Sequence, residues 1–287
     1  MNFFIGCAVW AYKDWVGTLY PQGTRAADFL KIYSRRFSSV EGNTTFYAVP
    51  KQDTVTRWVQ QTPPEFEFCL KLPRDITHNN LLTPKIPDAL NFINRVKALA
   101  DGKRLGPVFA QLPPSYPPTA IEDLRTFIEA WQQTGIELAI EVRNQNWFVE
   151  PHTTELTTLL EEFSVGRVLL DTRPIYNCED NPQLHSKRKK PKLPVHFSVT
   201  APFSLIRFIS HPNLLENQSY MEEWAIYIKK WLEEEKRIYL FIHCPQEEHS
   251  PRNARHFHEI LEKTGIQIPP LPSWDDPDTS PKQLSLW

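Results

Sequence analysis

The sequence has few glycines and no run of apolar residues long enough to cross a membrane. Only 9 of its 287 residues are glycine, and no glycine-rich phosphate-binding loop is present. A spanning helix needs about 20 consecutive apolar residues, so no such helix is predicted. The four cysteines are widely separated and form no CxxC pair. Their spacing disfavours a cysteine-based zinc site and indicates reduced thiols in a cytoplasmic protein.

The net charge of the chain favours no class of partner. It is −2 at pH 7, from 32 basic and 34 acidic residues, so no overall attraction to nucleic acid is implied. The amino-terminal stretch MNFFIGCAVW lacks a basic segment and a small-residue cleavage site, so a secretory signal is not predicted. The hydrophobic content of 41% is enough for a large core in one domain.

Short apolar runs alternate with helical patterns along most of the chain. Their β-branched and aromatic interiors are typical of strands covered on both faces. Eight such runs predict a single (β/α)8 TIM barrel over residues 1–268, followed by a flexible, proline-rich acidic tail over residues 269–287. The predicted strands are Phe3–Trp10, Ser39–Phe46, Phe66–Leu72, Pro107–Leu112, Glu137–Val142, Arg167–Asp171, Phe203–Ile209 and Arg237–His243.

Polar side chains lie at the carboxyl ends of the predicted strands, where barrels of this type place their sites. Glu41 and Glu141 are accompanied there by Lys71, Arg143 and Arg207. Because a buried charge must be paired, one interpretation is an ion network that satisfies itself. The surrounding aromatic and amide groups favour a ligand pocket instead. The predicted substrate-binding residues are Trp10, Asn43, Tyr47, Lys71, Gln111, Arg143, Arg207 and Asn253, and the predicted catalytic residues are Glu41, Glu141, Asp171 and His243.

Seven stretches of the sequence together resemble the YecE-like family, also called domain of unknown function 72. These stretches are GCAVWAYKDWVGTLYP, SSVEGNTTFYAVP, CLKLPRDITH, LGPVFAQLPPSY, LAIEVRNQNWF, APFSLIRF and SPRNA. The resemblance runs from about Phe3 to Thr264 and implies a TIM barrel with a polar pocket, but it implies no reaction. The polar positions that it implies are Glu41, Asn43, Lys71, Gln111, Glu141, Arg143, Asp171, Arg207 and Asn253.

Three places depart from the family's usual pattern. Ala8-Val9 stands where members usually have Ser-Gly, and the run Phe208-Ile209-Ser210 stands where an apolar residue, His and Gly are usual. His243-Cys244 replaces a usual pair of asparagines. These changes imply either a shifted specificity or a binding pocket with weakened chemistry.

The sequence is compatible with three functions. The first is a hydrolase-type or binding activity on a phosphate-containing, nucleic-acid-related ligand, with Lys71, Arg143 and Arg207 on the phosphate and Glu41 or Glu141 as general base. The second is a carbohydrate-active enzyme with the two glutamates as acid and nucleophile. The third is a non-catalytic binding module.

No organic cofactor is expected, and a divalent metal is not favoured. The candidate metal ligands are Glu141, Asp171 and His243, an oxygen-rich set better suited to a hard cation than to zinc.

An insertion at about residues 178–195, after the sixth strand, contains the basic run HSKRKKPKLP. This run is either a solvated set of charges or a means of raising phosphate affinity beside the pocket.

The last five residues resemble the short peptide with which bacterial replication and repair proteins bind the sliding clamp. Leu284 and one further leucine would fill an apolar groove together with the terminal aromatic ring. A flexible tether is the right presentation for such a peptide. The sequence therefore leaves two interpretations. The sliding clamp is a partner, through Gln283, Leu284, Leu286 and Trp287, or the apolar tail folds back on the barrel or has no role.

Overall fold

The computed structural model describes residues 2–184 and 189–274, and within them it contains eight β-strands and nine α-helices. The strands are β1 (Phe3–Cys7), β2 (Ser39–Gly42), β3 (Glu67–Leu70), β4 (Val108–Gln111), β5 (Leu138–Glu141), β6 (Gly166–Asp171), β7 (Phe203–Ile209) and β8 (Arg237–His243). The helices are α1 (Phe29–Tyr33), α2 (Thr44–Tyr47), α3 (Gln52–Gln61), α4 (Arg74–Thr77), α5 (Ile86–Asp101), α6 (Ile121–Gln132), α7 (His152–Glu162), α8 (Gln218–Glu233) and α9 (Ser250–Lys263).

The strands form two parallel sheets. Six of them make a curled sheet in the order β1-β8-β7-β6-β5-β4, and β2 pairs with β3 in a separate two-stranded sheet. The eight predicted strands are all found, and β7 and β8 have the predicted bounds. The hydrogen-bonded ladders do not run continuously through all eight strands, because β2 and β3 are only four residues long and pair fully only with each other.

Isolated backbone hydrogen bonds link the two-stranded sheet to both edges of the larger one. The N–H of Ser38 donates to the carbonyl of Ile5 beside β1, at 3.2 Å. The N–H of Leu72 donates to the carbonyl of Phe109 in β4, at 2.9 Å. Gly6 lies where β1 contacts β2. A Cβ atom at this position would lie 1.9 Å from the carbonyl oxygen of Ser39, the first residue of β2. Glycine is therefore required for β1 to approach β2 this closely.

Apolar residues cover both faces of the strands. Alternate residues of a strand point to opposite sides, so β8 places Tyr239 and Phe241 in an inner apolar layer. Its residues Ile238, Leu240 and Ile242 pack in the outer layer between strands and helices. Two buried faces explain why the strands lack an alternating polar pattern in the sequence. The members of the inner layer are Phe4, Cys69, Phe109, Ala139, Val168, Ala201, Phe203, Leu205, Tyr239 and Phe241.

The first residues of the predicted tail lie against the folded chain. The carbonyl of Pro269 contacts the ring of His258 at 2.8 Å, and Trp274 packs edge-on against Phe37 and under the guanidinium of Arg255. The predicted clamp-binding peptide lies outside the described residues. Over residues 2–184 and 189–274, no helix has both the length and the apolar character needed to cross a membrane.

Candidate functional site

Six buried polar side chains come from the carboxyl ends of six strands, and we call them the strand-end cluster. Each lies in or directly after its strand, on the side that continues the inner apolar layer. In β8, for example, His243 follows Tyr239 and Phe241 at a spacing of two, so it points to the same side. The members of the cluster are Glu41, Lys71, Gln111, Glu141, Arg207 and His243.

Arg207 joins the two carboxylates of the cluster. Its Nε and Nη2 atoms donate to Glu41 Oε2 and Oε1, each at 2.8 Å, in a two-pronged ion pair. Its Nη1 atom donates to Glu141 Oε2. The guanidinium lies 5.5 Å from the ring centre of Phe109, on top of the inner apolar layer. A planar fork of donors suits this bridging role, which a lysine could not perform.

Both carboxylates are held in their ionised form. Burial would raise the pKa of Glu41, but the charge of Arg207 and the hydrogen bonds from Arg207 and His243 together outweigh burial and hold the pKa well below its usual range. Burial opposes ionisation of Glu141 too, yet Arg207 and Arg143 lower its pKa to about 2. Arg143 Nε donates to Glu141 at 2.6 Å, and Asn43 Nδ2 donates to Glu41 at 2.6 Å.

A general acid that cleaves a sugar bond needs a raised pKa, so that it keeps its proton near neutral pH. Neither carboxylate meets this requirement. The geometry therefore gives no support to Glu41 and Glu141 as an acid–nucleophile pair.

His243 lies between Glu41 and Lys190. Its Nε2 atom is 2.9 Å from Glu41 Oε2, and its Nδ1 atom is 3.3 Å from Lys190 Nζ. Because an ionised carboxylate only accepts hydrogen bonds, Nε2 carries the proton and Nδ1 is left as an acceptor. Burial and the positive charge of Lys190 lower the pKa of His243 to about 4, against the opposing effect of Glu41. The imidazole is therefore neutral at pH 7, and it connects the carboxylate to an amine.

Lys190 belongs to the basic run, but its ammonium group contacts His243 of the strand-end cluster. The Tyr176 hydroxyl donates to the Lys190 carbonyl at 2.5 Å, and the Lys190 N–H donates to Gln183 Oε1 at 2.6 Å. These bonds fix the backbone on both sides of the residue. Burial and Arg207 lower the pKa of Lys190 to about 8. The sequence showed only a run of like charges, so it could not single out this lysine from its exposed neighbours Lys189 and Lys192.

Lys71 occupies the opposite side of the cluster from Lys190, at the end of β3. Its Nζ atom donates to Gln111 Oε1 at 2.8 Å and lies 3.8 Å from the ring centre of Phe46. Its backbone carbonyl accepts a hydrogen bond from the Thr45 hydroxyl at 2.6 Å. Burial lowers the pKa of Lys71 to about 7, with repulsion from Arg207 as the second cause.

Asp171 does not join the cluster, although the sequence analysis predicted it as catalytic. It lies on the outer face of β6, where both carboxylate oxygens accept from Arg173 and Trp224 Nε1 donates to Oδ2 at 2.8 Å. The structure therefore does not bring Asp171 together with the other two candidate metal ligands, Glu141 and His243. β6 is buried on both faces, so its pattern does not indicate the side to which Asp171 points.

Three predicted ligand-binding residues also lie apart from the cluster. Trp10 packs edge-on against Trp58, with ring centres 5.3 Å apart, in the outer apolar layer. Asn253 is fully buried and donates to the Ser210 hydroxyl at 2.8 Å, which ties α9 to the end of β7. Tyr47 is 60% exposed, at the end of α2. Trp10 and Asn253 thus support the strand ends from outside.

One group of metal-ligating residue types occurs within the described residues, at Cys178, Asp180 and His211. The N–H of Asn213 donates to His211 Nδ1 at 2.9 Å, so Nε2 carries the ring proton. His211 Nε2 in turn donates that proton to Asp180 Oδ1 at 2.9 Å. A metal ion on Nε2 would have to displace this proton and leave an imidazolate. The group is therefore better explained as a loop hydrogen bond than as a metal centre.

The described fold and cluster place the chain among parallel α/β proteins that carry a charged site at the carboxyl ends of their strands. The model of the family described as "Protein of unknown function DUF72" matches residues 4–276, and the chain belongs to that family. The UPF0759 protein YecE of Escherichia coli K12 is 32% identical over 287 residues, which is 99% of each chain. The UPF0759 protein YunF of Bacillus subtilis is 27% identical over 153 residues, about half of each chain.

Two solved structures of DUF72 family proteins share the fold. The protein of Thermotoga maritima has a TM-score of 0.70 at 21% identity, with 91% of this chain and 100% of that chain covered. The protein of Enterococcus faecalis has a TM-score of 0.68 at 17% identity, with 94% and 98% covered. The resemblance found in the sequence is thus confirmed as family membership. The names of these relatives assign no reaction.

Proposed function

We propose that the eight strands close into one (β/α)8 barrel and that the strand-end cluster binds a phosphate-containing, nucleic-acid-related ligand at its mouth. The balance of charge around the cluster carries this proposal. The buried carboxyl of Glu247 acts on Lys190, and Glu41 and Glu141 are ion-paired through Arg207 and Arg143. Within the described residues this leaves the Lys71 ammonium without an ion-paired negative charge. A phosphate group would supply that charge.

The pKa values of the two lysines are lowered for the same two reasons. Burial removes the water that would stabilise each ammonium group, and Arg207 repels both of them. A bound phosphate dianion would reverse the repulsion and raise both pKa values. Binding near pH 8 should therefore take up protons, which a neutral sugar would not cause.

The nucleic-acid-related part of the proposal draws on the basic run beside the cluster. Lys189 and Lys192 are exposed on the same segment that carries Lys190, where they can meet a phosphate of a longer ligand. Lys187 and Arg188 lie outside the described residues. The terminal clamp-like peptide would bring the protein to DNA, and this docking stays a prediction.

Calorimetric titration with ribose 5-phosphate, ribose and a short single-stranded oligonucleotide tests the proposal. At pH 8, in two buffers of different ionisation enthalpy, the phosphate ligand should bind with proton uptake and ribose should not bind. Lys71→Met should weaken binding about tenfold, because a hydrogen bond to a charged group contributes about 1.5–3 kcal/mol. The matched control is Lys263→Met, at an exposed lysine in the last turn of α9.

Binding of ribose as tight as that of ribose 5-phosphate would overturn the proposal. Equal weakening by the two lysine variants would also overturn it, since it would place the ligand away from the strand ends. Binding of the oligonucleotide without any effect of Lys71→Met would move nucleic-acid recognition to another surface.

A further inference from the structure

Lys71 differs from the other buried cation of the cluster in its partners. Arg207 is bonded to two carboxylates, whereas within the described residues no carboxylate oxygen lies within 4.0 Å of the Lys71 ammonium. Its contacts are one amide oxygen and one aromatic face, and its side chain is 6% exposed in total. Both contacts favour the ammonium form, but neither supplies a negative charge.

The surroundings of Lys71 oppose its positive charge directly. Arg207 repels the ammonium more strongly than Glu141 attracts it, and Arg143 repels it more strongly than Glu41 attracts it. Both carboxylates also hold these guanidinium groups. Desolvation beside other cations is a known means of turning a lysine into a neutral, nucleophilic amine. The hydrogen bond to Gln111 does not require an ammonium, since a neutral amine also donates N–H to an amide oxygen.

We propose that Lys71 is a nucleophile that forms an imine with the aldehyde or ketone group of an anionic ligand. This inference rests on the proposed function and narrows the ligand to one that carries both a phosphate or carboxylate and a carbonyl. Arg143 and Lys190 would hold the anionic part, and the strand-end position of Lys71 would place its amine at the carbonyl carbon.

The reaction balances without any further reactant. The amine nitrogen forms a bond to the carbonyl carbon, and the carbonyl π bond breaks to give a carbinolamine after proton transfer from nitrogen to oxygen. The hydroxyl group then leaves as water with the second amine proton, and the C=N bond of the imine forms. Nothing is oxidised or reduced, and the iminium form takes one proton from solvent.

The fraction of uncharged amine at pH 7 distinguishes a nucleophilic lysine from one that only binds phosphate. A lysine with an ordinary pKa of about 10.4 has about 0.04% of its amine uncharged at pH 7. With its pKa near 7, Lys71 has about half of its amine uncharged. The uncharged fraction of its amine at this pH is therefore about 1,000-fold that of a lysine with an ordinary pKa.

Reductive trapping on the full chain tests the inference. Glyoxylate, a small anionic aldehyde, is added with cyanoborohydride at pH 7, and the modified residues are mapped by mass spectrometry. We expect one carboxymethyl group, on Lys71, with a rate that is half-maximal near pH 7. The exposed Lys263 serves as the internal control and should carry much less label at pH 7.

Two variants sharpen the experiment. Lys71→Arg keeps a positive charge at this position and removes the nucleophilic amine, so it should abolish the rapid adduct. Arg143→Gln removes one repelling cation, so it should raise the pKa of Lys71 and move the pH profile of labelling upward. A circular dichroism spectrum and a urea unfolding curve confirm that each variant is folded.

The outcomes distinguish this inference from the proposed function. Labelling spread over exposed lysines, with Lys71 unmodified while ribose 5-phosphate still binds, overturns the imine and leaves the phosphate site intact. Rapid labelling of Lys71 without phosphate binding supports the nucleophile and overturns the phosphate site. A labelling profile that Arg143→Gln leaves unchanged overturns the electrostatic reason given for the reactivity of Lys71.

Discussion

Replacing Arg207 by methionine should be among the most destabilising single changes in this protein. The guanidinium is 2% exposed and pairs with two carboxylates, which are 0% and 1% exposed. Removing one partner of a buried ion pair costs about 3–5 kcal/mol, because it leaves an uncompensated charge. The total stability of a domain is only about 5–15 kcal/mol, so Arg207→Met should lose a large fraction of it.

The pH dependence of this loss gives a second, independent readout. In the native protein, the folded pKa values of Glu41 and Glu141 lie below the unfolded value of about 4.3. Their stabilisation is therefore present above pH 4.3 and is lost only as pH falls through the folded values. Without Arg207, burial should raise both pKa values, so the folded variant binds more protons than its unfolded chain. The stability gap between native protein and variant should then narrow as pH falls from 8 to 5.

Urea unfolding followed by tryptophan fluorescence at pH 8, 6.5 and 5 measures this gap. The matched control is Arg125→Met, which breaks the surface pair of Arg125 with Glu162 at 2.9 Å. An exposed pair of this kind contributes less than about 1 kcal/mol. An Arg207→Met loss no larger than that of the control would refute the reasoning, as would a gap that stays constant with pH.

Two further predictions concern residues outside the cluster. Asp171→Asn should lower the free energy of unfolding, because it removes the charge that pairs with Arg173. It should change the affinity for ribose 5-phosphate by less than about twofold. A large loss of affinity in calorimetry would show that Asp171 belongs to the ligand site. For the tail, a bacterial sliding clamp should recover the full-length chain and not a version ending at Lys282, and equal recovery would exclude docking through Gln283–Trp287.

The positions of the strands could be predicted because their apolar runs are short, β-branched and regularly spaced. The ends of those strands could not. The predicted first strand extended to Trp10, but β1 ends at Cys7, and the tryptophan turns outward to pack on Trp58. A hydrophobic ring at a strand end fits an outer layer as well as a ligand pocket, and only the packing of α3 decides between them.

The charged members of the cluster were predictable for a physical reason. Glu41, Glu141 and Arg207 each interrupt a strand that is otherwise apolar, and a charge in such a place must find an opposite charge. Asp171 satisfies the same rule on the outer face, with Arg173 as its partner. The rule therefore identifies buried charges without telling which side of the sheet they occupy.

Lys190 was beyond sequence reasoning, because its position depends on the fold of a long connection between β6 and β7. Its backbone is held by hydrogen bonds with the side chains of Tyr176 and Gln183, which lie 14 and 7 positions earlier in the chain. No local pattern distinguishes this lysine from the charged residues around it.

The pKa values of the cluster decide which of its groups can serve chemistry near neutral pH. Glu41 and Glu141 stay ionised, His243 stays neutral and Arg207 stays charged, so none of them exchanges a proton at pH 7. Lys71, with a pKa of about 7, and Lys190, with a pKa of about 8, do change their charge in this range. Burial also raises the pKa of Glu247, in the turn after β8, to about 8, so this carboxyl changes its charge in the same range. Glu41 and Glu141, predicted as catalytic, thus stay ionised, and the groups that exchange protons near neutral pH are the two amines and Glu247.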